Sequence, residues 1–232
     1  MKGRFLSIFI LMVLLLVPPV FYSSQRALAE NEEKEDIAFR WAFGAIIKTG
    51  GEQRLIAITR DTELRTGDRL KMLVELKKKC FVYLFYWDEG EGLHMLFPYS
   101  LEQFSENYNI SRKYYIPDDN GWFQLDRDVG LETFYLLASS SRLTDLEDLY
   151  AAYLSADPSV KKSLAEKTVA KIREIRKQRK KLTTEAERPV IIGGGTRGVL
   201  KGNGAWFPDI DPFAGEVRAN DFYIKTFTIE HR

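Results

Sequence analysis

The chain has 232 residues but only one cysteine and two histidines, and this scarcity excludes several kinds of structure and chemistry. A lone cysteine cannot close an internal disulfide, and a chain of this length buries enough apolar surface to fold without one. Cys80 begins an apolar run, so we predict a small buried side chain rather than a reactive thiol. A zinc site with four Cys or His ligands cannot be built from this set without carboxylates. No metal or cofactor is therefore predicted.

Side chains of the familiar catalytic sets are equally scarce. His94 lies in a predicted strand, where packing against neighbours is a simpler role than that of a general base. His231 is the penultimate residue, and chain ends are usually poorly ordered, so no catalytic role is assigned to it. Residues 139–141 are serines, but no Gly-x-Ser-x-Gly elbow surrounds them. We expect a protein that is not an enzyme, with an unrecognised hydrolase as the last alternative.

Glycine-rich and acidic segments each have a plain structural interpretation. The run 193–198 lacks the Gly-Lys-Ser/Thr ending of a phosphate-binding loop, so we predict a flexible loop there. Acidic residues crowd segments 88–91, 118–119 and 209–211, whose oxygen atoms are of the type that binds calcium. None matches an EF-hand calcium loop, and acidic side chains are ordinary turn residues, so turn roles are favoured.

Charge and aromatic content point to a β fold and away from nucleic acid. The chain has 34 Lys and Arg against 33 Asp and Glu, and this balance gives no reason to expect a nucleic-acid partner. It also has 15 Phe, 11 Tyr and 4 Trp. Aromatic side chains suit the half-buried surface of a β-sheet.

The first 29 residues have the features of an export signal. Lys2 and Arg4 supply positive charge, residues 5–17 form an uncharged and almost wholly apolar run, and Ala27-Leu28-Ala29 matches the small-x-small pattern of a cleavage site. We predict that residues 1–29 are removed and that the protein is periplasmic or extracellular.

An uncleaved membrane anchor is the alternative. A spanning helix needs about 20 apolar residues. The run reaches that length only by including Pro18-Pro19, which break helix geometry. The single cysteine lies far from the junction, so the sequence offers no lipid attachment site there.

From residue 39 onward, short apolar runs alternate with turn residues, after an acidic leader over 30–38 that is predicted to be disordered. The clearest strand spans 70–76, where apolar and polar residues alternate. This alternation predicts one face in the core and one in water, with Leu73 as the exception. Residues 80–87 are apolar throughout, as expected of a central strand covered on both faces.

Two helices are predicted to interrupt the strands. Thr144, with Glu147 three residues later, has the arrangement of an N-cap and capping box. The second helix follows Asp157-Pro158 and runs to about residue 181, with apolar residues at helical spacing. Its predicted apolar stripe consists of Val160, Leu164, Thr168, Ile172 and Ile175.

Together these patterns predict a mainly β protein with a single domain over 39–232. We expect β-sandwich-like, immunoglobulin-like antiparallel sheets, with a two-helix excursion at about 143–182. A short strand at 189–192 and a returning strand at 222–229 complete the prediction.

Residues 66–140 contain a recognisable order of motifs: TGDRL, then CFVYLFYWDEGEGLHMLFPY, then YYIP, then GLETFYLLAS. Their order and spacing resemble the bacterial family called domain of unknown function 4384 (DUF4384), and the similarity extends over roughly residues 61–150. The resemblance implies a β-sandwich-like accessory module of envelope and secreted proteins. That family carries no assigned catalytic residues, so none is transferred.

The second predicted helix is strongly basic, with ten Lys or Arg and two Glu over 161–181. Each basic residue near an anionic bilayer contributes about 1 kcal/mol of attraction. The simpler interpretation is a solvated face on a docked helix. The candidate contacts with an anionic surface are Lys171, Arg173, Arg176, Lys177, Arg179, Lys180 and Lys181.

The function predicted from these observations is that of an exported, non-enzymatic interaction module that binds a protein or another component of the cell envelope. A membrane-surface or polyanion-binding protein that uses helix 161–181 is the alternative. Carbohydrate binding through exposed Trp87, Trp122 or Trp206 is a further alternative.

Overall fold

Two stacked β-sheets, with helices on one outer side, make up the fold. The computed structural model describes residues 36–118, 120–179, 186–188 and 208–232. The strands are β1 (Ile37–Thr49), β2 (Glu52–Ala57), β3 (Thr62–Leu64), β4 (Arg69–Leu76), β5 (Phe81–Asp88), β6 (Gly92–Phe97), β7 (Lys113–Ile116), β8 (Phe123–Gln124), β9 (Gly130–Ser139), β10 (Ala186–Arg188), β11 (Gly215–Ala219) and β12 (Phe222–His231). The helices are α1 (Gln103–Glu106), α2 (Thr144–Ser155), α3 (Pro158–Arg179) and a 3-10 helix (Asp211–Phe213).

The strands pair into a large and a small sheet. The large sheet has the order β10-β11-β1-β4-β7, with β2 also paired to β1 and β8 to β4. The small sheet has the order β3-β12-β9-β5-β6. The described pairs are antiparallel except for β3 and β12, which run parallel. The predicted mainly β fold with antiparallel sheets and two helices toward the C-terminal part is confirmed.

The main core lies between the inner faces of the two sheets. Alternate side chains of each strand point into it, as the strand period requires. Phe43 packs edge-on against Phe134 with ring centroids 5.0 Å apart, and Trp41 lies against Phe227 at 5.1 Å. Cys80 belongs to this core, and burial raises the pKa of its thiol to about 12. The prediction of a buried cysteine is confirmed, and the raised pKa disfavours the reactive thiolate.

Helices α2 and α3 cover the outer face of the small sheet. Phe85 of β5 packs against Tyr150 of α2 with ring centroids 5.5 Å apart. The helices also close the edge strand β6, because the N–H of Met95 donates to Tyr150 Oη at 3.0 Å and that of Leu93 to Tyr153 Oη at 3.4 Å. Free N–H groups on an edge strand invite pairing with another strand. These two N–H groups are therefore not available to an added strand.

The outer face of the large sheet is also covered, so the prediction that one face of the 70–76 strand meets water is wrong. On that face of β4, Lys71, Leu73 and Glu75 are all buried. Leu73 shares an apolar cluster with Ile210, which lies more than a hundred residues further along the chain. The absence of a side chain at Gly44 permits this approach, because a Cβ there would lie 2.7 Å from Ile210 Cγ2.

The predicted capping box of the first helix is wrong. Helix α2 begins at Thr144, its N-cap is Leu143, and no side chain caps it. Glu147 turns instead to two other partners, accepting hydrogen bonds from Tyr83 Oη at 2.5 Å and from Arg142. A buried carboxylate gains more from an arginine and a phenol than from a terminal backbone N–H group.

The apolar stripe of α3 is wider than predicted. Val160 is 48% exposed and does not belong to it, whereas Ala165 and Val169 do. Together with Thr168 and Ile172, these residues follow the i, i+3, i+4, i+7 spacing of one helical face.

Several predicted segments differ at their ends or fall outside the described residues. Strand β1 begins at Ile37, so Ile37 and Ala38 are ordered and buried rather than part of the disordered leader. The closing strand predicted over 222–229 corresponds to β12. The segments outside the described residues are the predicted signal over 1–29, the rest of the leader to residue 35, residues 180–182 of the helical excursion, the strand at 189–192 and the glycine-rich segment 193–204.

Candidate functional site

One end of the sandwich opens into a cavity of about 290 Å³ between the two sheets. Strands β5, β6 and β9 form one wall, and β4, β8 and the residues after β8 form the other. Carboxylates, a histidine and aromatic rings converge on it. We call this cavity the acidic mouth, and its lining includes Tyr86, Glu91, His94, Phe123, Asp126 and Glu132.

Glu132 is the buried carboxylate of the mouth. It lies on β9 in phase with Phe134 and Leu136, and it therefore faces the space between the sheets. Only 7% of the residue is exposed. The antiparallel register places Gly130 opposite His231 of β12, so Glu132 and His231 are near neighbours on the same face.

The surroundings of Glu132 favour its neutral form. Burial, together with the nearby carboxylates of Asp88, Glu91 and Asp126, raises the pKa of the carboxyl group to about 7, and burial is the largest of these causes. Burial and like charge both disfavour an ionised carboxylate. A carboxyl group that titrates near neutrality in a cavity is a recognised mark of a functional site.

His231 lies behind Glu132, and the prediction that it is a poorly ordered chain end is wrong. Strand β12 continues to His231, which is 3% exposed and paired with β9 and β3. Its Nδ1 lies 3.2 Å from Glu132 Oε1, and its Nε2 lies 3.2 Å from the hydroxyl of Thr66. The pairing of a terminal strand with two neighbours overrides the general tendency of chain ends to fray.

A carboxylate, an imidazole and a hydroxyl in this order resemble a nucleophilic triad. A triad also needs donors for the developing oxyanion. The backbone N–H groups of Thr66 and of the next two residues, Gly67 and Asp68, already donate to carbonyls of Arg232, Leu125 and Arg65 respectively. The geometry therefore supports proton exchange within the group more than acyl transfer.

Aromatic rings give the mouth a second character. Tyr86 lies 5.1 Å from the ring of Phe134 and 6.0 Å from that of His94, measured between centroids. Burial raises the pKa of Tyr86, and the charges of Glu132 and nearby acids add to the effect. Phe123 is 36% exposed. Carboxylates beside aromatic faces are a favourable environment for a cation.

A second cluster of charges lies on the outer face of the large sheet, and its residues neutralise one another. Arg40 Nη1 lies 2.6 Å from Glu75 Oε2, and Lys77 also contacts that carboxylate. Arg40 and Lys113 both pair with Asp211 of the covering segment, at 3.2 and 3.0 Å. Burial raises the pKa of Glu75, but hydrogen bonds from Lys77 and Arg40 outweigh it and hold the pKa below its ordinary value. This cluster fastens the segment around Asp211 to the sheet.

The predicted turn roles of the acidic segments hold in part. Asp88 Oδ1 accepts hydrogen bonds from the N–H groups of Gly90 at 2.6 Å and Glu91 at 2.8 Å, as a turn aspartate does. In segment 209–211 the acids have more than a turn role, because Asp211 joins the ion-pair cluster. Residue 119 lies outside the described residues.

The basic helix α3 uses some of its charges within the protein. Arg173 and Arg176 each donate to a hydroxyl of the small sheet at 3.4 Å, and Lys171 donates to Asp145 at 3.2 Å. Lys177 is exposed. The side chains that lie outside the described residues are those of Arg179, Lys180 and Lys181. Contact with an anionic surface stays a prediction.

Two other surface features give weaker candidates. A shallower depression of about 500 Å³ beside α1 and β7 has acids and bases in its lining. Its cations already have partners, since Lys113 pairs with Asp211 and Arg112 lies over the ring of Tyr114 at 5.2 Å. Trp87 and Trp122 are half-buried rather than exposed. Trp206 lies outside the described residues.

Metal and membrane features are judged on the described residues alone. Among them, no three His, Cys, Asp or Glu side chains are grouped in a way that would hold a metal ion. In the same part of the chain, no helix is both long enough and apolar enough to cross a membrane.

The fold and its cavity define a two-sheet β-sandwich domain with a helical layer and an acidic mouth at one end. Residues 63–142 match the family described as Domain of unknown function (DUF4384), and the similarity identified from the motifs is confirmed over that segment. The matched segment holds all six named residues of the mouth, whereas His231 lies outside it. No curated protein and no solved structure matches the chain.

Proposed function

We propose that the protein is an exported, non-enzymatic binding module that holds a cationic side chain of a partner protein in the acidic mouth. The observation that carries this proposal is the meeting of carboxylates and aromatic rings around one cavity, with no lysine or arginine among its described lining residues. Export rests on the predicted signal over residues 1–29.

A cation is the occupant that the charges of the mouth favour. Glu91, Asp126 and Glu132 line it, and their mutual repulsion is relieved when a positive group lies between them. The faces of Tyr86 and Phe123 add cation–π attraction, which contributes about 0.5–2 kcal/mol depending on exposure. An ammonium or guanidinium group on an apolar stem matches this combination better than a free inorganic ion.

A protein partner is favoured by the apolar residues near the mouth. Phe123 lines the mouth and is 36% exposed, and Val129, on the chain segment that leads from β8 to β9, is 62% exposed. Exposed apolar side chains beside a polar pocket are typical of protein interaction sites. Since the N–H groups of Leu93 and Met95 on edge strand β6 are occupied, insertion of a side chain is a more suitable mode of binding than strand addition.

The proposal is tested by titrating the purified protein with an end-capped Gly-Gly-Lys-Gly-Gly peptide and following backbone amide signals by NMR. We expect shifts concentrated at β6, β8 and the start of β9. One buried cationic group should give a dissociation constant on the order of 1 mM. The same peptide with Glu at its centre should give no shifts at these residues.

Matched variants localise the binding. Replacing both Glu91→Gln and Asp126→Asn should weaken lysine-peptide binding by about tenfold, since each charge contributes on the order of 0.5–1 kcal/mol at a partly exposed site. Glu166→Gln, an equal charge change on the exposed face of α3, should leave affinity unchanged. Equal binding of the lysine and glutamate peptides, or shifts confined to other surfaces, would contradict the proposal.

A further inference from the structure

A buried chain of hydrogen-bonding groups runs from the acidic mouth to the protein surface, through Glu132, His231 and Thr66. The side chains of Glu132 and His231 are 9% and 1% exposed, whereas Thr66 is exposed. Both links of the chain measure 3.2 Å. Only Glu132 lines the cavity, so an occupant of the mouth acts on His231 through this carboxyl group.

We propose that a cationic group entering the acidic mouth moves the proton of Glu132 onto His231, so that binding converts a neutral pair into a carboxylate and an imidazolium. This inference rests on the proposed function, because it specifies what occupation of the mouth does to the buried pair.

The charges around Glu132 explain why the empty mouth keeps the proton on the carboxyl group. The titratable groups that face it are Tyr86 and Asp88 from β5, Glu91 from the following turn, His94 from β6, Asp126 after β8 and His231 from β12. Three of these are carboxylates. The arginine beside His231, Arg232, is paired with Glu63 and Glu230 and does not offset them. A cation in the mouth supplies the missing positive charge, and the ionised form of Glu132 becomes the favoured one.

His231 is placed to take the proton without loss to solvent. With its hydrogen on Nε2, the imidazole donates to Thr66 Oγ1 and leaves Nδ1 free to accept from the Glu132 carboxyl group. In the step, the O–H bond at Glu132 Oε1 breaks and an N–H bond at His231 Nδ1 forms. The Nε2–H group keeps its acceptor throughout, so both N–H groups of the imidazolium are satisfied.

This arrangement also predicts the pH dependence of binding. If the proton stays within the pair, occupation of the mouth requires no net proton release near neutrality, and affinity for the lysine peptide changes little between pH 6 and 7. If no base lay behind Glu132, its proton would have to leave to solvent when the peptide binds. The affinity for the lysine peptide would then fall by up to tenfold for each pH unit below the pKa of the carboxyl group. His231 is therefore a positioning residue for the mouth.

The chain has only two histidines, so imidazole nitrogen NMR at pH 6.5 tests the step directly. On titration with the lysine peptide, we expect His231 Nδ1 to change from an unprotonated to a protonated nitrogen. In Glu132→Gln the side chain can still form a hydrogen bond but has no proton to give, so His231 should not change. His231→Gln should bind the peptide up to about tenfold more weakly at pH 6 than at pH 7, while the wild-type protein changes by less than about threefold.

The outcomes separate the two proposals. Binding at the mouth with an unchanged His231 overturns this inference and leaves the proposed function standing. Absence of peptide binding overturns both. A protonated His231 in the peptide-free protein at pH 6.5 also overturns the inference, because the proton would already have moved.

Discussion

Glu75 and Glu132 are two glutamates that are equally buried, at 5% and 7% exposure, yet they are held in opposite ways. Glu75 lies on the outer face of the large sheet, where Arg40 and Lys77 contact it and hold its pKa below the ordinary value. Glu132 lies in the acidic mouth among other carboxylates, and its pKa is raised to about 7.

The difference shows that the partners of a buried carboxylate, rather than its burial, decide its role. Burial raises the pKa of both groups. At Glu75 two cations outweigh this effect, and the cluster joins Asp211 to the sheet as a structural fastening. Around Glu132 the described lining of the mouth holds no lysine or arginine, so ionisation of this carboxyl group is unfavourable for stability.

The largest effect is expected on removing the cation from Glu75. Arg40→Met should lower the free energy of unfolding at pH 7 by about 2–3 kcal/mol, because Glu75 stays buried with one cation fewer. The folded pKa of Glu75 is depressed, so its favourable contribution is present above the unfolded pKa and is lost as pH falls through the folded value. The deficit of the variant should therefore shrink in strong acid. Urea denaturation at pH 7 measures the deficit of Arg40→Met, and the same experiment at pH 3 measures its decrease in acid.

Arg54→Met is the matched control for this prediction. Arg54 and its partner Glu52 are 63% and 50% exposed, and they lie 3.8 Å apart. An exposed pair of this kind contributes about 0–1 kcal/mol. If Arg54→Met were as destabilising as Arg40→Met, the fastening role of Glu75 would be wrong.

The opposite sign is expected at the mouth. The folded pKa of Glu132 lies above its unfolded value of 4.5, so the folded state retains a proton that the unfolded chain has lost. Stability therefore falls as pH rises between these two values, and the penalty is complete above about pH 7. Glu132→Gln removes this penalty, so the free energy of unfolding at pH 8 should rise by about 2 kcal/mol. Each pKa unit corresponds to about 1.4 kcal/mol, and the contact with His231 offsets part of the total.

Denaturation curves of Glu132→Gln and the wild-type protein at pH 4.5 and pH 8 check this prediction. The two proteins should be nearly equal in stability at pH 4.5 and differ at pH 8. Glu166→Gln supplies the control for charge removal at an exposed site, where changes are within about 0.5 kcal/mol. A destabilised Glu132→Gln at pH 8 would mean that the carboxylate is already balanced by an unrecognised cation.

The same two glutamates show how far the sequence predicts the structure. Alternation over residues 70–76 identifies β4, but the burial of Glu75 depends on Ile210 and Asp211, which come from more than a hundred residues further along the chain. Such long-range coverage leaves no local pattern. Within β4, Leu73, the one residue that departs from the alternation, is the only sign that the outer face is covered.

Two residues of the candidate site, Glu132 and His231, are not predicted as site residues from the sequence, for different reasons. Glu132 is in phase with Phe134 and Leu136 on a predicted strand, and this phase alone indicates that the carboxylate points inward. The position of His231 in the chain predicts disorder, whereas its order comes from pairing with β9 and β3, which no local property of the neighbouring residues indicates.

The smallest effect is expected at Thr66, the outer end of the chain behind Glu132. Thr66→Val keeps the shape of the side chain but removes the acceptor 3.2 Å from His231 Nε2, which leaves a buried ring nitrogen without that partner. Loss of one such hydrogen bond lowers the free energy of unfolding by about 1 kcal/mol. Thr66→Ser retains the hydroxyl and should recover most of this loss. Thr62→Val removes a hydroxyl that donates to the Arg60 carbonyl at an exposed position, and it should cost less. Equal stabilities of Thr66→Val and Thr66→Ser would mean that water is as good a hydrogen-bond partner for His231 as the threonine is. The difference between Glu132 and Glu75 would then come only from the carboxylates around Glu132.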